Sequence, residues 1–317
     1  MTIDGILACF CIASKGSSLR CMVQQGQGKG MKLSYDTVTG FFQRPWSAHR
    51  ELQSAVEGLF SLSKGWAILD EIVIAKSIES VLMASVKRRR KSAGGYVTPA
   101  ISVVLLLWCD GTQRIPLAFE YCLGNETVQE LGLKLLRRLR NQFKLRPQCV
   151  LFDAGFFGHR FVQRIASYRW AFVCRVPKSI NFEGKRIWRY KQQGFWNNVG
   201  KLESGLQVRA IRRADKFWIS NRVSWSAQVC LDWYAKRAVI EEVFRILKQC
   251  CHWGYCQLRS EAAYERYLAT GLFCFLLWES ARLRASEPTT IYKLRSTVMF
   301  QNAPPPIPDY FKLWEVA

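Results

Sequence analysis

The chain has 317 residues, 49% of them hydrophobic, and carries 46 Lys and Arg against 24 Asp and Glu for a net charge of +22. That length can bury a large core, as one large domain or two smaller ones, and so large a positive excess points to polyanions as partners. No apolar run is long enough to span a bilayer, and no Lys or Arg precedes the short apolar stretch "GILACFCIA", which argues against a membrane protein and a secretory signal. The twelve cysteines therefore read as reduced thiols of a soluble, cytoplasmic protein.

Residues 1–30, with the run "QQGQGKG", show little periodicity and read as an uncertain segment, either a disordered tail or a misread start. Residues 31–65 read as a helical region of two segments broken near Pro45, the second capped by Ser47 with Glu51 in its first turns. A strand follows over 66–74. "KRRRK" (87–91) with "SAGG" reads as a basic loop, either solvated or tracking DNA phosphates, with Arg88 and Arg89 as candidate contacts. "AISVVLLLWCDGTQRIPLAFEYC" predicts a hairpin turning at Asp110-Gly111. Next come an amphipathic helix capped at Thr127, a strand over 148–153, a helix in "GHRFVQRIASYR" and a strand in "WAFVCRVP".

Residues 177–225 alternate in polarity and are broken by Gly, which predicts a β-rich insertion where an ordinary core would have a short loop. Its Trp188, Trp196, Trp218 and Trp225 either form a small core or stack on unpaired bases; Trp218, between Lys216 and Arg222, is the best-placed for stacking. The stretch 226–250 lacks Pro and Gly and predicts a helix, "EAAYERYLATGLFCFLLWESARL" predicts a strongly apolar one, and residues 286–317 read as a C-terminal tail with the extended, Pro-rich "NAPPPIPDYF". Cys250, Cys251, His252 and Cys256, like Cys9, Cys11 and Cys21, lack the paired spacing of a zinc site and read as buried or incidental. His49, His159 and His252 are isolated and suggest no triad.

The helix over 226–250 carries the chemistry. Tyr234, Arg237, Glu241, Arg245 and Lys248 step by three or four and share one face. One acid flanked by an aromatic ring and several cations suits a metal-binding carboxylate set in a phosphate-binding surface. The plain alternative is a solvated face with incidental ion pairs. Two upstream acids add weight. Asp70 ends the apolar run "GWAILD" and Asp153 ends "QCVLFD", each at the carboxyl end of a predicted buried strand, where sites form in open α/β sheets. Three carboxylates suit hard cations such as Mg²⁺, and two such ions roughly 3.5–4 Å apart promote in-line displacement at phosphorus.

The spacing Y-x2-R-x3-E-x6-K, with these acids, resembles the DDE transposases of bacterial insertion sequences, in the subgroup named for its Tyr-Arg-Glu-Lys (YREK) signature. The resemblance covers residues 31–285 and implies an α/β, ribonuclease-H-like mixed sheet flanked by helices, here residues 66–176 and 226–285, with the β-rich insertion before the third catalytic acid. The predicted element order agrees. The resemblance implies that Asp153 is the second catalytic acid and Glu241 the third, with Tyr234, Arg237 and Lys248 contacting DNA. The first acid is Asp70 or its neighbour Glu71; adjacent strand residues face opposite ways, and Asp70 is preferred. It further implies two Mg²⁺, replaceable by Mn²⁺, held by Asp70, Asp153 and Glu241. The implied partners are double-stranded transposon-end and target DNA, bound by a homodimer in the prokaryotic cytoplasm at the nucleoid. The implied activity is cleavage at the ends and strand transfer. Two alternatives stay open: a decayed or co-opted transposase that binds DNA without cutting, and a ribonuclease-H-like nuclease.

Overall fold

The computed structural model describes residues 3–62, 64–75, 87–90, 97–190 and 194–300. The apolar run at Trp66–Ala75 forms β1, fully buried over its first five residues. It pairs antiparallel with β3 (Val97–Cys109) and parallel with the short β5 (Val150–Phe152), which pairs in turn with β6 (Phe172–Val176). β5 is apolar at all three positions, as a strand covered on both faces requires. β4 (Arg114–Tyr121) returns along β3 from the predicted hairpin turn. There Asp110 Oδ1 accepts the N–H groups of Thr112 and Gln113 at 2.8 Å, and Gly111 takes a φ of 105° that disfavours a side chain. The order β4-β3-β1-β5-β6 makes the expected mixed sheet, antiparallel on one side of β1 and parallel on the other.

The β-rich insertion is present, and it joins the central sheet. β11 (Lys216–Ser220) pairs antiparallel with β6, β10 (Gln207–Arg213) with β11, and β9 (Phe195–Lys201) with β10, making a nine-stranded sheet. Between β6 and β9, β7 (Asn181–Phe182) and β8 (Lys185–Arg186) pair as a small hairpin. The expected basic loop is different: Lys87–Arg90 pairs with β3 as β2, while Lys91 and the "SAGG" stretch lie outside the described residues.

Neighbouring positions on β4 identify the two faces. Glu120 receives Arg138 of α5 (Val128–Asn141), whereas the Phe119 ring meets His49 of α4 (Ala48–Leu59) at 5.1 Å and Trp253 at 6.4 Å. α5 and α6 (His159–Ser167) therefore cover one face, locked by Phe152, Phe156 and Phe161. Gly132 permits that approach, because a Cβ there would stand 2.8 Å from the Phe161 ring. The other face carries α4 and α9 (Glu261–Arg284), a 24-residue helix buried almost all round. The caps match the sequence reading: Ser47 Oγ accepts the Arg50 N–H, and Thr127 forms a full capping box with Glu130.

Both termini depart from expectation. Residues 1–30, read from the sequence as an uncertain segment, either a disordered tail or a misread start, supply α1 (Ile3–Ile12) and α2 (Leu19–Gly28). Ile6, Leu7, Phe10 and Cys11 are buried, and Phe10 packs on Tyr267 at 5.1 Å and Phe42 at 6.2 Å. A helix apolar on every side has no periodicity to read, and it is stable only inside a core. α3 (Tyr35–Gln43) packs beside it against α9. Within the expected tail, Ile291–Phe300 is helix α10, in contact with α1 and α9, and the Pro-rich run lies outside the described residues. Eleven of the twelve cysteines are buried, Cys21 being exposed. Among the described residues no helix is long and apolar enough to cross a membrane.

His252 links these N-terminal helices to the core and makes them acid-sensitive. Its ring is buried, with Nε2 donating to the Phe10 carbonyl at 3.1 Å, and burial pushes its pKa down from 6.5 to about 4. The folded state therefore binds this proton less readily than the unfolded chain does. The stability this represents is complete above pH 6.5 and is lost as pH falls towards 4, about 3 kcal/mol in all. Urea unfolding at about pH 7 and about pH 4.5 should show that loss. His252→Gln should reduce the difference between the two midpoints; an unchanged difference would reject His252 as its source.

Candidate active site

Parallel register assembles the first two acids. Leu69 lies opposite Phe152 in the β1–β5 pair, and Asp70 and Asp153 are the next residue on each strand. Asp70 is 7% exposed and accepts the Glu71 N–H at 2.9 Å. Burial pushes its carboxyl up to about 6; Arg237 opposes the rise and the negative Asp153 adds to it. Asp153 leaves the sheet at the start of a short 3₁₀ turn, Ala154–Phe156, and accepts the Gly155 N–H at 2.9 Å. Glu71 turns to the opposite face, where it accepts the Ser102 hydroxyl of β3.

The signature segment is helical throughout but changes pitch. α7 (Ala227–Ala235) passes through a single 3₁₀ turn, Lys236–Ala238, into α8 (Val239–Cys250). Arg237 sits on that tighter turn. Its Nη2 donates to Asp70 Oδ2 at 2.7 Å, its Nη1 lies 3.7 Å from Glu241 Oε1, and its guanidinium stands 6.0 Å from the Tyr234 ring centroid. Burial works against its charge, but Asp70, Tyr234 and Asp153 together outweigh it and hold its pKa above the usual value. Burial raises the Tyr234 phenol to about 12. Glu241 points largely into solvent, its side chain 67% exposed. Arg245 and Lys248 are exposed further along the same face, the Lys248 ammonium lowered by its partial burial.

Of the expected site residues, Asp70, Asp153, Tyr234 and Arg237 therefore meet, while Glu241 joins them only through Arg237. Among the described residues no group of three or more His, Cys, Asp and Glu stands close enough to hold a metal ion. The donor chemistry still suits one. Two carboxylates lie side by side, one of them desolvated and raised, and added positive charge there would favour their ionised forms.

The DNA-contact expectations divide. Trp218 is buried, with its ring 6.0 Å from that of Tyr234, so it has no open face for a base and is a core residue. Trp196 is buried against Tyr190 and Trp225 stacks on Trp233, whereas Trp188 is 45% exposed with Arg189 5.5 Å from its ring. Arg88 and Arg89 lie on β2 opposite Pro99 and Thr98. Two cations near the site escaped the sequence reading. Arg175 opposes Trp218 in the β6–β11 register and is exposed beside Tyr234. Lys236 is held 3.9 Å from the Trp233 ring and 4.7 Å from that of Trp66. An Arg inside the otherwise apolar strand "FVCRV" is the signal that marks the first.

A family profile described as the transposase DDE domain matches residues 91–277, a span that includes Asp153 and Glu241 and begins after Asp70. Among solved structures, the chain is similar to the piggyBac transposase in its synaptic complex with hairpin DNA. The TM-score is 0.57 at 10% identity over 98% of this chain and 73% of that one, a likeness of fold. No curated protein matches the sequence. With more than half of its length matched by the profile, and with its helix-flanked mixed sheet, the chain belongs to the transposase DDE domain family.

Proposed function

We propose that the chain is a DNA transposase of the Tyr-Arg-Glu-Lys subgroup of bacterial insertion sequences, which cleaves at transposon ends and joins them to target DNA. The observation that carries this reading is the convergence of Asp70, Asp153 and Arg237: two acids from adjacent parallel strands, tied to the signature helix by a 2.7 Å ion pair. Asp70, Asp153 and Glu241 would hold divalent ions, Mg²⁺ or Mn²⁺. Bound in a pair, such ions supply Lewis-acid activation of an attacking oxygen and stabilisation of the leaving one at phosphorus.

The chain's own residues prepare the site. Burial of Asp70 excludes water from one side of it, and Arg237 offsets the charge of two neighbouring carboxylates. Glu241 is free to turn inward because nothing buries it. Tyr234, Arg237 and Lys248 would contact the DNA near the reacting phosphate, with Arg175 and Arg245 extending the positive surface. Joining two ends calls for two active sites, so a homodimer on double-stranded DNA is the expected assembly.

The test is Mg²⁺-dependent cleavage of a duplex bearing the inverted repeats that flank the coding sequence. Asp153→Ala or Glu241→Ala should abolish cleavage and leave duplex binding intact. Glu241 is the cleaner site, since its exposed side chain contributes little to stability. Cleavage retained by either variant would reject the assignment. Absence of cleavage by the wild type, with binding intact, would indicate a co-opted DNA binder.

A further inference from the structure

The face of the sheet opposite Asp70 is covered by α5 and α6, and it is strongly basic. Between Leu131 and Lys178 the sequence holds eleven Lys and Arg against one acid; Arg175 and the acid, Asp153, belong to the site already described. The other acids of this face are engaged within it. Glu120 pairs with Arg138 at 2.8 Å, Glu126 with Lys134, and Glu130 closes the Thr127 capping box. Arg137, Arg140, Lys144, Arg146, Arg164 and Arg169 are exposed, with no acidic partner among the described residues.

These cations are also arranged. Tyr168, at the end of α6, lies 4.4 Å from the Arg140 guanidinium of α5 and 5.9 Å from that of Arg164 on its own helix. One ring thus holds cations from both helices together against their mutual repulsion. The helix C-termini account for a small part of this charge, because each macrodipole amounts to about half an elementary charge. Six unpaired cations exceed that several-fold, and a folded protein has no internal reason to gather them.

We propose that the α5–α6 face binds the phosphate backbone of a second DNA duplex, separate from the one at the catalytic acids. The two surfaces lie on opposite faces of the sheet. Duplex DNA has a persistence length of about 150 base pairs, so one short segment cannot serve both without a costly bend. The proposal rests on the transposase reading, in which more than one duplex must be held at once. The face reads charge and not sequence, because cations on a duplex backbone contact phosphates, which carry no base identity.

The experiment loads the full-length protein with end duplex in Mg²⁺-free buffer and measures capture of a labelled duplex of unrelated sequence between about 50 and 200 mM salt. It compares wild type with Arg137→Gln/Arg140→Gln/Arg164→Gln and with the same three positions changed to Lys. The Gln variant should lose at least about tenfold in capture, and its log–log salt slope should be shallower by about 2–3. The Lys variant should keep the slope, which separates charge from folding. Mg²⁺-dependent cleavage of a short end duplex should survive in both. Wild-type capture and slope in the Gln variant would overturn the proposal, as would a matching loss of end cleavage, which would mean that both surfaces hold one duplex. Failure of the wild type to cleave ends would count against the transposase reading alone, because capture is scored without cleavage.

Discussion

Asp70→Asn should lower Mg²⁺-dependent end cleavage by about a thousandfold or more, while Glu71→Gln should leave it within a few-fold of wild type. The residues are neighbours in sequence and both are acids. Strand geometry sends Asp70 towards Asp153 and Arg237 and sends Glu71 to the Ser102 hydroxyl on the other face. A thousandfold corresponds to about 4 kcal/mol of transition-state stabilisation, a reasonable share for a ligand of a catalytic metal pair. Single-turnover cleavage, with duplex binding measured in parallel, separates chemistry from affinity. Loss confined to Glu71→Gln would move the first ligand to the other face and break its connection with the signature helix. Equal loss in both would point to damage to β1 as a whole.

Glu279→Ala should destabilise the fold by about 3–5 kcal/mol, the usual cost of removing one partner from a buried charge network. Glu279 is completely buried in α9. It accepts the Arg114 backbone N–H at 3.0 Å and side-chain bonds from Arg114 and Arg282 at 2.8 Å. Burial works against its ionisation, yet Arg282 and Arg114 hold its carboxyl below the ordinary range. Arg114 also reaches Glu242 at 2.8 Å, so β4, α9 and the helix bearing Glu241 share one clamp. The expected fall in melting temperature is about 5–8 °C for a chain of this size. Glu279→Leu with Arg114→Leu should recover part of the loss, because no charge of that pair is then left unpaired. A loss below about 1 kcal/mol in Glu279→Ala would show that the network behaves as if solvated.

Much of the candidate site was legible in the sequence because its cues are local. Apolar runs ending in Asp70 and Asp153, the Thr127 capping box, the Asp110-Gly111 turn and the three-and-four spacing of Tyr234, Arg237 and Glu241 each depend on a few neighbouring residues. These cues set the order of strands and helices, and with it the ribonuclease-H-like sheet. Tertiary structure decided what local patterns do not carry. Parallel pairing of β1 and β5, residues far apart in the chain, set Asp70 beside Asp153 and left Glu71 on the other face. Burial against Tyr234 turned Trp218 from a possible stacking surface into core. α1, apolar on every side after Asp4, showed no period, and only its packing on α9 revealed it as part of the core. The basic α5–α6 face likewise emerged only when Tyr168 brought Arg140 and Arg164 together, because charges distant along a sequence acquire a common surface only when the chain folds.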